Sequence, residues 1–385
     1  MHASNTCMPI TGDCDTILVA IELSQRTWLV TMKCPGKDRL SHYKLPGGDH
    51  AGLLALIAKV RARVERALGS APAVVSCYEA GYDGFWLHHL LTAAGIRNLV
   101  FDPASIAVEQ RGRRAKTDRI DGEVLLRTLG SHLRGDPRAV RVVRVPSREQ
   151  EDARRASRER KRLVDEQTSH TNRIKALLRL YGLAAGNPRR KDWPAQLAVL
   201  RDWQGQPVPP HVRAELEREH ARVMQIREHL EALATPSAAA DRTTAEVEMS
   251  KRKDLLQRLK GVGPAFAGTL ASEVFYKDFA NRRQVAAYCG LDPSPWRSGT
   301  IEREQGISKA GNPRARTQTL ELTWLWLQNQ PDSALTHWFL KRTANASGRM
   351  RRIAIVALAR KLVVALWRYV TTGLVPDGAV LKAAA

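Results

Sequence analysis

Two short apolar runs, Thr16 to Ile21 and Thr27 to Met32, constrain the fold more than any other feature of the chain. Each is rich in Val, Ile, Leu and Thr, too short for a stable lone helix and suited to a buried strand. Gln25-Arg26 and Pro35-Gly-Lys-Asp38 supply turns, and Leu40 to Leu45 reads as a weaker third strand. Asp49 to Leu68 then carries Leu53, Leu54, Leu56, Ile57, Val60, Val64 and Leu68 at helical spacing. Ala73 to Tyr78 is a further strand ending at Glu79, Phe85 to Ala94 a helix, and Ile96 to Phe101 another strand. Three strands, a helix, then alternating strand and helix describe a mixed sheet with helices around it.

That order is the one used by RNase H-like nuclease domains. It makes the acidic residues at its strand ends informative: Glu22 follows the first strand and Glu79 a later one. Downstream, Arg111-Gly-Arg113-Arg114-Ala-Lys116-Thr leads into Asp118 and Asp121, three residues apart at the start of a helix-compatible segment. At that spacing both carboxylates lie on one helix face and repel. A divalent cation, nearby arginines or plain solvent could hold them, and aspartates are also common in a first helical turn for dipole reasons. Taken with Glu22 and Glu79 they form a four-carboxylate set able to bind Mg²⁺ (or Mn²⁺), since hard oxygen donors suit those ions.

Sixty-one Lys and Arg against thirty-nine Asp and Glu give a formal charge of +22. Such an excess points to a polyanion, foremost nucleic acid. The longest apolar stretch, Ile353 to Val370, contains Arg360, Lys361 and Arg368, so we expect a buried or interfacial helix and no membrane span. No signal-peptide pattern opens the chain, and five cysteines without metal-ligand spacing fit a reducing cytoplasm, so a cytoplasmic protein is expected.

After Pro146 the composition shifts. Ser147 to Leu183 reads as one long solvated helix, Gly186 to Pro210 as a turning segment, and Val212 to Leu233 as a second amphipathic helix. We therefore expect three domains: 1–146 with the mixed sheet, 147–234 as a helical coiled-coil hairpin, and 245–385 mainly helical. In the last, Gly261-Val-Gly263-Pro between two helices resembles a helix-hairpin-helix turn, which presents backbone N–H groups to phosphate, although an ordinary turn uses the same residues. Asp292 to Gln305 reads as irregular and polar. It contains Trp296, Arg297, Ser298 and Arg303, with Lys309, Arg314 and Arg316 following. Serine beside glycine among cations could attack a DNA phosphate, or could simply donate a hydrogen bond in a phosphate-binding loop. Trp296 could stack on a base; the other tryptophans suit the core or interfaces, and His88 and His89 a structural role.

Together, Glu22, Glu79, Lys116-Thr-Asp118-Arg-Ile-Asp121, Gly261-Val-Gly-Pro, Ala286-Ala-Tyr-Cys-Gly-Leu-Asp-Pro293, Arg297-Ser298-Gly299 and Gly306-Ile-Ser-Lys-Ala-Gly-Asn312 resemble the DEDD insertion-sequence transposases. These have a RuvC-like N-terminal domain and a serine-containing C-terminal domain, and are related to Piv-type DNA invertases and known as bridge-RNA-guided recombinases. The resemblance spans essentially the whole chain. It implies an enzyme that excises and inserts its own element, with DNA and a structured guide RNA as partners. It also implies Mg²⁺ on Glu22, Glu79, Asp118 and Asp121, a phosphoserine link formed by Ser298, and a homodimer assembling into a synaptic tetramer. Arg111, Arg113, Arg114, Lys116, Gly261, Gly263, Trp296, Arg297, Arg303, Lys309, Arg314 and Arg316 are the expected nucleic-acid contacts. One departure is that the family usually has aspartate where this chain has Glu22, which moves the carboxylate by about a bond length. The alternatives are a metal-dependent Holliday-junction-type nuclease and an inactive nucleic-acid-binding derivative.

Overall fold

The computed structural model describes residues 15–106, 118–136, 138–183, 186–234, 243–298 and 301–382, with backbone alone at Asp118, 295–298 and 301–305. The chain divides into two compact units, Met1–Pro146 and Ser147–Ala385.

The first unit contains β1 (Thr16–Glu22), β2 (Thr27–Lys33), β3 (Ser41–Pro46), α1 (His50–Leu68), β4 (Ala73–Glu79), α2 (Trp86–Ala93), β5 (Arg97–Phe101) and α3 (Asp118–Leu133). Its sheet has the order β3-β2-β1-β4-β5. β2 runs antiparallel to both β1 and β3, whereas β1, β4 and β5 are mutually parallel, so this is the mixed sheet the sequence predicts. Side chains alternate across a strand, and here both faces are apolar. Ile17, Val19 and Ile21 join Leu53, Ile57 and Val60 of α1 and Leu87 and Leu91 of α2 on one face. Leu18 and Ala20, with Val75 and Cys77 of β4, pack on Leu125, Leu126 and Leu129 of α3 on the other. Helix α1 starts where Asp49 accepts a hydrogen bond from the Gly52 N–H and stops at left-handed Gly69.

The second unit comprises α4 (Arg148–Asp152), α5 (Arg155–Leu180), α6 (Trp193–Val199), α7 (Pro210–Ala234), α8 (Thr244–Gln257), α9 (Pro264–Glu273), α10 (Arg282–Tyr288), β6 (Pro293–Ser298), β7 (Ile301–Ile307), α11 (Pro313–Asn329), α12 (Ala334–Thr343) and α13 (Gly348–Thr372). Helices α5 and α7 pack antiparallel. Ile174, Leu177, Leu216 and Val223 share one core, and His170–Glu219 and Arg173–Glu215 contacts run alongside. A second core gathers Leu270, Leu322, Trp326, Leu362 and Leu366 from α9, α11 and α13. Among the described residues no helix is long and apolar enough to cross a membrane.

Two expectations are corrected. The stretch Ser147 to Leu183 is not one helix: the chain breaks between α4 and α5, where Arg154 turns inward and becomes buried. The stretch from Asp292 to Gln305 is not irregular, because β6 and β7 form an antiparallel hairpin. Pro293 and Pro295 argue against a strand in the sequence, but in a two-stranded sheet each strand has a free edge where a missing N–H costs little, and the register shifts between these prolines.

Arg154 turns inward to reach Glu273, a carboxylate almost wholly shielded from solvent at the end of α9. Arg154 Nη2 donates to it at 3.0 Å, Arg158 Nε at 2.8 Å, Arg314 Nη1 at 3.1 Å and Asn312 Nδ2 at 3.0 Å. Burial alone would push the Glu273 carboxyl up. The Arg158 and Arg154 hydrogen bonds and charges outweigh it and hold the pKa at about 2. Removing the acid would leave buried arginines uncompensated, a loss of roughly 3–5 kcal/mol.

Because the folded-state value lies below the ordinary 4.5, this stabilisation is complete above about pH 4.5 and disappears as the pH falls toward 2. Urea denaturation followed by tryptophan fluorescence should show Glu273→Gln less stable than wild type at pH 7, with the gap closing between pH 4.5 and 2; a gap independent of pH would contradict the assignment.

Candidate active site

The parallel register between β1 and β4 pairs Ile21 with Tyr78. Glu22 and Glu79 are the next residues on these neighbouring strands, so their backbones are about one strand spacing, ~4.8 Å, apart. Alternation puts both on the face covered by α3, since Glu22 has the parity of Leu18 and Ala20, and Glu79 that of Val75 and Cys77. Glu22 is half-buried and Glu79 exposed.

Helix α3 brings its own acids to the same end of the sheet. A Cβ on Gly122 would lie 2.6 Å from Thr31 Oγ1 and 3.9 Å from Leu29 Cδ2, so the helix backbone rests directly on β2 at that point. Leu29 is the register partner of Glu22. Farther along, Gly130 sits beside Leu18, so α3 runs back along β1 from its C-terminal end. Asp121, immediately before Gly122, is half-buried, and Asp118 starts the helix one turn earlier. Glu123 is occupied elsewhere, 3.5 Å from His42 Nε2 and 3.2 Å from Arg119 Nε.

The strands and α3 thus direct Glu22, Glu79 and Asp121 toward one end and one face of the sheet, with the backbone of Asp118 beyond them. All four would offer carboxylate oxygens, the hard donors that suit Mg²⁺ or Mn²⁺. Among the described residues no group of three or more His, Cys, Asp or Glu side chains is already gathered into a metal site. By donor type, carboxylate oxygen throughout, the set fits a divalent ion. Arg111, Arg113, Arg114 and Lys116 lie outside the described residues.

The second unit carries the other expected site residues. Ser298 is the last residue of β6 and is the register partner of Ile301 on β7, while Trp296 pairs with Arg303 and Arg297 with Glu302. The hairpin base is held by the Ser308 N–H to the Asp292 carbonyl at 2.8 Å and by the Asn312 N–H to the Tyr288 carbonyl at 2.7 Å. Gly311, at φ 109°, permits this second contact, because a side chain there would strike the Tyr288 and Ala287 carbonyls. Lys309 is exposed, and Arg316 donates to the Lys309 carbonyl at 2.8 Å.

Arg314, expected to face phosphate, is instead engaged with Glu273 and donates to the Ser157 carbonyl at 2.6 Å. Gly261 and Gly263 flank buried Val262, whose carbonyl accepts from Lys382 Nζ at 3.0 Å. Sequence reasoning did not single out Glu273: it stands in Leu270-Ala-Ser-Glu-Val274, where an acid amid small and apolar residues was the one available signal of burial.

Comparison with known proteins finds transposases. A profile described as Transposase, of the DEDD type in the IS110 group, matches residues 19–182, and that of the Transposase IS116/IS110/IS902 family matches 253–337. The Sinorhizobium fredii protein y4rJ, named as an inferred transposase, is 44% identical over 379 residues, covering 96% of each chain. The Coxiella burnetii transposase for insertion sequence element IS1111A is 27% identical over 267 residues, 66% of this chain and 67% of that one.

The close seating of α3 on β2 gives a test of the acidic site's framework. Gly122→Ala should cost roughly 1–3 kcal/mol by overpacking against Thr31. Thr31→Ala in the same chain, which removes the obstructing hydroxyl, should restore part of the loss in thermal denaturation; purely additive losses would show that the helix does not rest there.

Proposed function

The chain belongs to the IS116/IS110/IS902 transposase family, and on that premise we propose that it excises and inserts an insertion sequence by serine attack on DNA. The observation that carries this reading is that one chain holds acidic residues at the ends of adjacent parallel strands in its first unit and Ser298 at the end of a hairpin strand in its second. In the proposed step, Ser298 Oγ bonds to a DNA phosphorus while the phosphate's bond to one neighbouring deoxyribose oxygen breaks. The displaced oxygen leaves as a hydroxyl carrying a proton, and Oγ has lost its own. Attack by a hydroxyl of another strand end reverses this, rejoining DNA and freeing the serine.

Glu22, Glu79, Asp118 and Asp121 would hold Mg²⁺ or Mn²⁺, which supplies charge to the phosphate when bound. Exposed Lys309 would add fixed charge near the hairpin base, with Arg297 and Arg303 before it and Arg316 after it in sequence, and Gly261, Gly263 and Trp296 as further contacts. Arg111, Arg113, Arg114 and Lys116 would approach phosphate ahead of the aspartates.

The resemblance further supports a structured guide RNA as partner, and a homodimer pairing into a synaptic tetramer. The three-domain division at 146, 234 and 245 belongs to the same reading, with α5 and α7 as a coiled-coil dimerising element and the Gly261–Gly263 turn as a helix-hairpin-helix.

With wild type, Mg²⁺, RNA and labelled element-end DNA, a denaturation-resistant protein–DNA adduct should form, and Ser298→Ala should abolish it. Free cleaved ends persisting in Ser298→Ala would favour hydrolysis by a nuclease. Asp118→Ala and Asp121→Ala should each reduce strand breakage on the order of 10²-fold or more; undiminished breakage would remove the acidic set from the reaction.

A further inference from the structure

Between Asp332 and Asp377 the chain has no acidic residue, yet it carries Lys341, Arg342, Arg349, Arg351, Arg352, Arg360, Lys361 and Arg368. Elsewhere in this unit exposed arginines sit one turn from a carboxylate, as in Arg162–Glu166, Arg213–Glu217 and Arg227–Glu231. Among the described residues, none of these eight cations makes such a pair.

The cations gather where α12 ends at Thr343 and α13 begins at Gly348. Lys341, Arg342, Arg349, Arg351 and Arg352 are all exposed around that corner. Trp338 extends the patch, with Lys361 Nζ 4.8 Å and Arg342 Cζ 5.9 Å from its ring centre. The first turn of α13 has no acid to offset the positive end of its dipole. The corner is also rigid: Phe339, Ala354, Ile355 and Leu358 pack beneath it. Unpaired cations crowded on a fixed surface repel one another, and a polyanion relieves that repulsion while releasing counterions.

We infer that the α12–α13 corner is a docking surface for the phosphate backbone of duplex DNA, gripping charge without reading bases. Four of the five cations at the corner are arginines, whose planar fork matches phosphate oxygens. Exposed Met350 and Ile353 lie among them and suit contact with deoxyribose. The inference rests on the chain being a DNA-processing protein, but its test needs no strand cleavage.

Binding of the full chain to labelled duplex DNA of arbitrary sequence is measured by fluorescence anisotropy across a salt series. Neutralising Arg349, Arg351 and Arg352 together (R349Q, R351Q, R352Q) should weaken binding tenfold or more, on the order of three lost phosphate contacts, and flatten the log–log salt slope by about 2–3. The control R162Q, R213Q, R227Q removes the same net charge from paired arginines and should change affinity by less than about threefold. Thermal denaturation confirms that both variants fold.

Equal losses in the two variants would overturn the inference, because net charge alone would then explain them. A loss seen with duplex RNA but not DNA overturns it too, as does a changed oligomeric state with an unchanged salt slope, which would point to a protein partner. If the corner sets the salt slope while no serine-dependent adduct ever forms, the recombinase reading fails and this inference stands.

Discussion

The second unit is organised around a single carboxylate. Glu273 is buried at the end of α9, and the groups that satisfy it come from distant parts of the chain: Arg154 and Arg158 from the start of α5, Asn312 and Arg314 from the start of α11. One acid therefore ties three helices at one point. Taking any ion out of water is costly, and the pairing is worthwhile only when hydrogen bonds occupy both carboxylate oxygens, as they do here. The consequence reaches the hairpin. Asn312 caps α11 with its side-chain oxygen, donates to Glu273 with its side-chain nitrogen, and donates its backbone N–H to Tyr288 at the base of the strands that carry Ser298. The serine's framework thus rests on the same ion cluster.

The first unit uses a different device. Its acids are placed by strand register and by a helix lacking a side chain where it meets β2. Parallel pairing sets Glu22 beside Glu79, and Gly122 lets α3 descend far enough to bring Asp121 to that end. Carboxylates so placed would be drawn together by the divalent ion of the proposed function.

The legibility of these two devices in the sequence differs for a physical reason. Strands β1, β2 and β4 announce themselves because buried strands need continuous apolar runs, and the acids just past them stand out by contrast. The hairpin at 293–307 was hidden because its prolines are excluded from most sheets and its stability does not depend on an apolar pattern. The Glu273 cluster was hidden more deeply. Arg154 and Arg158 look like any solvated residues of an Arg- and Glu-rich helix, and Arg314 like a phosphate contact, because sequence spacing cannot reveal a partner 41 to 119 residues away. The same ignorance of long-range partners misassigned the helix break at Ala153–Arg154, which exists where Arg154 turns in.

These observations convert a formal charge of +22 into a distribution. Some cations are cancelled locally by carboxylates one turn away, and three converge on Glu273. The α12–α13 corner is left without acids, while Glu22, Glu79 and Asp121 stand toward one end of the central sheet. Local pairs are self-sufficient, and the Glu273 carboxylate has its cations within the fold, so neither requires a ligand. The α12–α13 corner is the part of the second unit that lacks its counter-charge, and a phosphate backbone is the partner whose chemistry supplies it.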